Sequence, residues 1–245
     1  MSGLKQAVSA SLARWSVAPT PVLVLTAIAI AGIPVLSALF FVDREIFRFI
    51  LDEDRLVEWG QVLLWLLSGI VGAVIAIDRY RRGYRGQGLL WIGFALATVV
   101  IGGEEISWGQ RLLGLETPEI LEEINRQEEL NLHNIGNTLT AFNLVLFFAS
   151  VYAIAAEWIQ RRWNIAGRWA DGERLYVPPF FLAGLFGVML LYRAVRSVVL
   201  NQESYALTSL SEWAELCFVA ALFVTLLLSA RWVSRRSRDA QQDAA

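Results

Sequence analysis

The sequence predicts an all-α integral membrane protein with six transmembrane helices and both termini in the cytoplasm. Three observations predict it. First, 56% of the 245 residues are hydrophobic and only 18% are charged, where soluble domains run at roughly 45–50% and about 25%. Second, six stretches are apolar over about the 20 residues a span requires: 20–42, 59–77, 88–107, 135–156, 178–200 and 211–230. Third, the basic residues collect in alternate connecting segments.

Residues 1–19 read as a cytoplasmic N-terminal segment, 20–230 as the membrane domain, and 231–245 as a basic tail, disordered after Arg238. The first span is too long for a signal-peptide core and no small-residue cleavage site ends it. Pro21 suits its first turn, and Pro34 is expected to kink it. Orientation follows from charge. With the N-terminus inside, the inner segments hold 14 of the 21 basic residues and six of the 23 acidic ones. The outer segments then hold 7 basic and 17 acidic residues. Most of the ten tryptophans fall near one boundary or the other, as interfacial anchors do.

Scarce residue types exclude much chemistry. The chain has one cysteine, Cys217, so it forms no intrachain disulfide. It has one histidine, His133, and its methionines are Met1 and Met189. A site with several histidines, a haem with two axial histidines and an iron–sulfur cluster are all beyond one chain. No phosphate-binding loop and no dinucleotide fingerprint is present, so no nucleotide is expected. The net charge of −2 gives nucleic acid no surface.

The informative residues lie at the outward helix ends. Glu104 and Glu105 come some 15 residues after Leu89, roughly 23 Å into a core of about 30 Å. A carboxylate at that depth needs a partner, a proton or a metal. Gly102 and Gly103 precede the pair and would let another helix approach. Glu104, Trp108 and Arg111 share a helical face. In the fifth span Arg193 and Arg196 reach a similar depth, against the positive-inside bias. They would either pair structurally with the third span or hold an anionic group. His133, Asn137 and Thr140 form one polar stripe at the start of the fourth span. Glu58 opens the second span, Glu212 and Glu215 the sixth, and Glu203 lies in the preceding loop. Glutamates at helix N-termini also complement the macrodipole. Together, six carboxylates face three fixed cations and one histidine, and that excess needs protons, a divalent metal or a cationic ligand. Glu105, His133, Glu212 and Glu215 would be the ligands of one such metal. Thr117, Pro118 and Glu119 start a short helix near 118–130 at the outer surface, a lid or a plain connector.

The string Gly103-Glu104-Glu105-Ile106-Ser107-Trp108-Gly109-Gln110-Arg111, followed by Asn131-Leu132-His133-Asn134, resembles segments of multi-pass bacterial membrane proteins with no assigned activity. That resemblance implies a bacterial inner membrane and no mechanism. A partial resemblance to CAAX-type intramembrane glutamic proteases rests on Glu104-Glu105 and on His133 with Asn137. It implies a general base at Glu104 or Glu105, and His133 and Asn137 on the carbonyl. The chain departs from that family in two ways. Arg111 stands six residues after Glu105 rather than four, and the middle histidine motif is absent. Zinc-dependent seven-helix lipid hydrolases use three histidines, which this chain lacks.

Three functions follow from these residues. An outward-facing hydrolase or transferase would use Glu104 and Glu105 as acid and base, His133 as a second acid–base group or metal ligand, and Arg111, Arg193 and Arg196 for substrate anions. An accessory subunit would use the cluster only to fix helix packing, beside a membrane-protein partner. A proton- or ion-coupled transporter would need polar groups through the whole depth, and the inner halves read as free of ionisable residues. The lipid bilayer is the expected partner on every reading.

Overall fold

The computed structural model describes residues 2–118, 125, 130–131, 135, 138–165, 172–198 and 204–242. Among them the chain is helical, with no strand beyond one isolated antiparallel bridge between Asn125 and Ile135. Helix α1 is Ser2–Trp15, α2 Pro19–Val42, α3 Arg44–Leu51, α4 Leu56–Arg81 and α5 Arg85–Glu105. A 3-10 turn, Ser107–Gly109, leads into the short α6, Gln110–Leu113. Then come α7 (Thr138–Trp163), α8 (Gly172–Leu175), a second 3-10 turn (Phe180–Leu182), α9 (Ala183–Val198) and α10 (Tyr205–Gln242).

Among the described residues five helices are long and apolar enough to cross a membrane. Only 17–44% of the residues in their apolar stretches are buried, so most of that apolar surface is left uncovered, as a membrane-crossing helix requires. On α2 alone Leu23, Val24, Ile28, Ile30 and Val35 are exposed. The stretch expected as the fifth span is divided between the turn Phe180–Leu182 and the 16 residues of α9. At 1.5 Å per residue α9 is about 24 Å long.

α4 and α5 form a tight hairpin. Gly69, Gly72, Gly88 and Gly102 line its seam, each with an atom of the facing helix 2.9–3.2 Å from where a Cβ would stand. Small residues let two backbones close in this way inside a membrane. α10 packs along α4, and α9 joins α10 to α7 and α2. The main core lies where these helices meet, around Trp65, Phe186, Met189, Ala214 and Phe218.

Several boundaries differ from the sequence reading. Residues 1–19 contain a helix: α1 buries Ser11 and Trp15 against the bundle. The tail continues α10 to Gln242, because Ala, Arg and Gln after Ser237 are good helix formers. The helix of the fourth expected span, α7, starts at Thr138. Ionisable residues do lie buried toward the arginine-rich end. Arg79 is fully buried in α4, and Glu157 in α7 is 2% exposed. Both are held by partners. Arg79 binds Asp78 at 2.6 Å, and Glu157 takes Ser11 Oγ at 2.7 Å, the Phe180 N–H at 2.8 Å and Arg161 at 3.0 Å. Of the expected helix near 118–130, only Pro118, Asn125 and Leu130 are described.

Candidate functional site

The α4–α5 seam sets the register of the site. Gly102 lets Trp65 Cβ come within 3.1 Å of its own Cβ position. One turn further along α5 is Glu105. One and two turns back along α4 are Gln61 and Glu58, on the same face at i and i+3. α10 closes the third side. Gln61, fully buried, donates from Nε2 to the Glu212 backbone carbonyl and to Glu212 Oε2, both at 2.9 Å. Glu215, one turn on, receives Arg193 of α9 at 2.5 Å. Glu105 is thereby brought within electrostatic reach of Glu58, Glu212 and Glu215 on two other helices, with Arg193 as the opposing charge.

The partners of these carboxylates differ. Glu58 accepts the Asp54 N–H at the start of α4. Glu104 accepts Trp108 Nε1 at 2.7 Å. Glu212 holds Gln61, and Glu215 holds Arg193. Glu105 is half-buried, and among the described residues it makes no hydrogen bond and no ion pair. Gln61 Oε1, buried beside Glu212, likewise has no hydrogen-bond partner among the described residues. A polar pocket of about 490 Å³ opens on the cluster, walled by Asp52, Glu53, Arg55, Thr208, Ser209 and Glu212.

The end of α5 explains how the two adjacent glutamates come to differ. Ser107, Trp108 and Gly109 are all left-handed, with φ of 46°, 56° and 76°. Such a conformation costs a residue with a side chain about 1–2 kcal/mol. The reversal folds the Trp108 ring onto Gly103, whose Cβ would stand 2.8 Å from it. Gly103 thus receives this ring, not the neighbouring helix expected there. Trp108 draws Glu104 to the outside, and Glu105 stays on the α4 side.

The same turn ties the two resemblance strings together. Asn131 Nδ2 donates to Ser107 Oγ at 3.0 Å. Asn125 Nδ2 donates to the Asn131 carbonyl at 2.7 Å and to its Oδ1 at 2.9 Å. Gln110 accepts the Leu130 N–H at 2.7 Å and donates to Thr117 Oγ1 at 2.6 Å. Ser107, Gln110, Asn125 and Asn131 are all buried. Sequence reasoning singled out none of Ser107, Gln110 or Asn125 for this role. The available signal was Ser107 and Gln110 in one short polar string and Asn131 in the other, with Asn125 between them.

Among the expected site residues, the structure brings together Glu58, Glu105, Glu212, Glu215 and Arg193. Glu104 sits at the edge on Trp108. Arg196 reaches Thr208 Oγ1 at 3.3 Å, outside the cluster. Arg193 makes its ion pair with Glu215 of α10 and acts on Glu105 of α5 through its charge. His133, Asn137 and Glu203 lie outside the described residues, as does the side chain of Arg111. Among the described residues no group of three or more His, Cys, Asp or Glu is arranged to hold a metal ion. Comparison with family models, with curated proteins and with solved structures returns no significant match.

Proposed function

We propose that the chain is a multi-pass protein of a bacterial inner membrane with cytoplasmic termini, and that its glutamate-rich end faces outward as the site of a hydrolase or transferase. Glu105 is the proton acceptor for an attacking water or hydroxyl group. Arg193 supplies positive charge beside the reacting group, and Glu212 at the pocket wall is the second acid–base group. One observation carries this reading. Each neighbouring carboxylate is engaged by a structural partner, whereas Glu105, held among three of them within electrostatic reach of Arg193, makes no hydrogen bond or ion pair among the described residues. A network built only for packing pairs its charges. An unpaired acid among like charges is what proton-transfer sites use to keep a carboxyl reactive. The orientation rests on the basic residues, which gather at the opposite helix ends.

The test is a comparison of lipid and glycan extracts from cells expressing the wild-type protein or Glu105→Gln at equal folded amounts. A species that changes with the wild type and is restored in the variant is expected. General acid–base groups contribute roughly 10²- to 10⁴-fold in rate, so the variant's turnover should fall into the background. Identical extracts from both strains would contradict the reading.

A second reading, an accessory subunit whose cluster fixes helix packing, is favoured by the Arg193–Glu215 and Gln61–Glu212 contacts. Both join α10 to a neighbouring helix. The stability cycle described in the Discussion separates that role from chemistry at Glu105.

A further inference from the structure

A groove of about 650 Å³ runs between α2, α9 and the start of α10, within the range of about 300–1,000 Å³ typical of small-molecule sites. Its walls are apolar, with Ile33 and Pro34 from α2, Leu191 and Val195 from α9, and Leu210 from α10. Two glycines of α9 shape it. At Gly184 a Cβ would collide with the Thr26 methyl at 2.5 Å, so α9 and α2 touch there. At Gly187, one turn on, a Cβ would meet nothing within 4 Å. The helices part from that point, and the missing side chain leaves the floor open.

The groove is polar at one end only. Arg196 and Tyr192 line it there, and the remaining polar residue of the lining, Ser37, donates its hydroxyl to the Ile33 carbonyl of its own helix at 2.7 Å. Tyr192 is fixed by donating to the Leu207 carbonyl at 2.6 Å, and Arg196 is steadied by Thr208. An apolar trough ending in a guanidinium has the shape and charge of one molecule abundant in a membrane: an acyl chain attached to a phosphate. Every apolar helix face in a bilayer meets lipid. A floor opened by Gly187 together with a guanidinium at the headgroup end distinguishes this one, because a guanidinium forms paired charge-assisted hydrogen bonds with a phosphate.

We propose that this groove binds one phospholipid, with an acyl chain along Ile33, Gly187 and Leu191 and the headgroup phosphate on Arg196. The binding stands apart from the chemistry at Glu105 and holds whether or not that chemistry does.

Native mass spectrometry of the full-length protein in detergent tests it, with two titrants sharing the same chains: dioleoyl phosphatidylglycerol and dioleoyl glycerol, which lacks the phosphate. The wild type should take up one phosphatidylglycerol and bind the diacylglycerol at least about tenfold more weakly, as loss of a charge-assisted pair implies. Arg196→Gln should bring phosphatidylglycerol down to the diacylglycerol level and leave diacylglycerol unchanged. Gly187→Leu should weaken both by about tenfold or more, by filling the floor. If Gly187→Leu does not fold, Leu191→Asn, on an exposed wall, tests the same arm. Phosphatidylglycerol affinity within twofold of wild type in both kinds of variant would overturn the proposal, as would diacylglycerol binding as tightly as phosphatidylglycerol.

Discussion

The Arg193 guanidinium and the Glu215 carboxylate are 2.5 Å apart, and their side chains are 11% and 14% exposed. Removing one member of so enclosed a pair strands the other. Arg193→Gln alone should destabilise the protein by about 3 kcal/mol, and Arg193→Gln with Glu215→Gln should recover most of it. Thermal unfolding of the two single variants and the double variant measures the coupling; additive losses would contradict it. Asn131, 1% exposed, bridges Ser107 and Asn125. Asn131→Ala should cost about 1–3 kcal/mol, because it leaves buried polar groups unsatisfied. A melting temperature equal to wild type would show that this network does not hold the turn. At this scale the sequence was a partial guide. Depth along a helix singled out Glu105 and Arg193, and position at the start of an apolar stretch singled out Glu212 and Glu215. The sequence did not reveal that Glu104 and Glu105 part company, because that depends on three left-handed residues, only one of them glycine. Nor did it reveal Arg193's partner, because helix order in a bundle is not written in local spacing.

Among the elements, α2 depends on a close approach. The Trp213 ring of α10 lies against Gly32, where a Cβ would stand 2.2 Å from it, and Trp213 Nε1 donates to the Ala29 carbonyl at 3.0 Å. Trp213 is therefore a packing residue and not only a boundary anchor. Gly32→Ala should cost about 1–3 kcal/mol by overpacking and loosen α2. A lowered melting temperature, with the Trp213→Phe background showing a smaller loss, is the expected outcome; no change in either background would contradict the contact. α1 is held at the other end by Glu157, through Ser11 at 2.7 Å and Arg14 at 3.7 Å, and the Trp15 ring carries Arg174 5.5 Å above its centre. Hydropathy was blind to α1, since a short helix of mixed composition acquires its amphipathic role only from the surface it meets. The long spans were legible for the opposite reason. A backbone that crosses a lipid core must satisfy its polar groups within a continuous helix, so an apolar run of sufficient length is enough to predict one.

Across the whole molecule, charge is segregated between two ends, with carboxylates at one and arginines at the other. The proposed orientation places the carboxylate end outside. In a Cys217→Ser background, Glu53→Cys should react with a membrane-impermeant thiol reagent on intact spheroplasts. Arg162→Cys should react only after lysis. Both original side chains are exposed, so the labelling reads topology and not burial, and the reverse pattern would contradict the orientation. The two ends are built differently. Glu157 and Arg79 are buried with close partners and stabilise the bundle, while the glutamate end gathers four carboxylates from three helices around the Arg193 charge.

That asymmetry makes Glu105→Gln in the purified protein the most direct test of the account. A functional carboxylate held among like charges stabilises nothing, and replacing it with a neutral isostere should raise stability by about 0.5–2 kcal/mol, the trade expected at active sites. The measurement is the melting temperature of the variant beside wild type, with Glu215→Gln as the contrasting variant that should melt lower. A rise for Glu105→Gln and a fall for Glu215→Gln is the predicted result. A fall of similar size in both would mean that Glu105 is one more structural member of the network, and the proposed chemistry would lose its base.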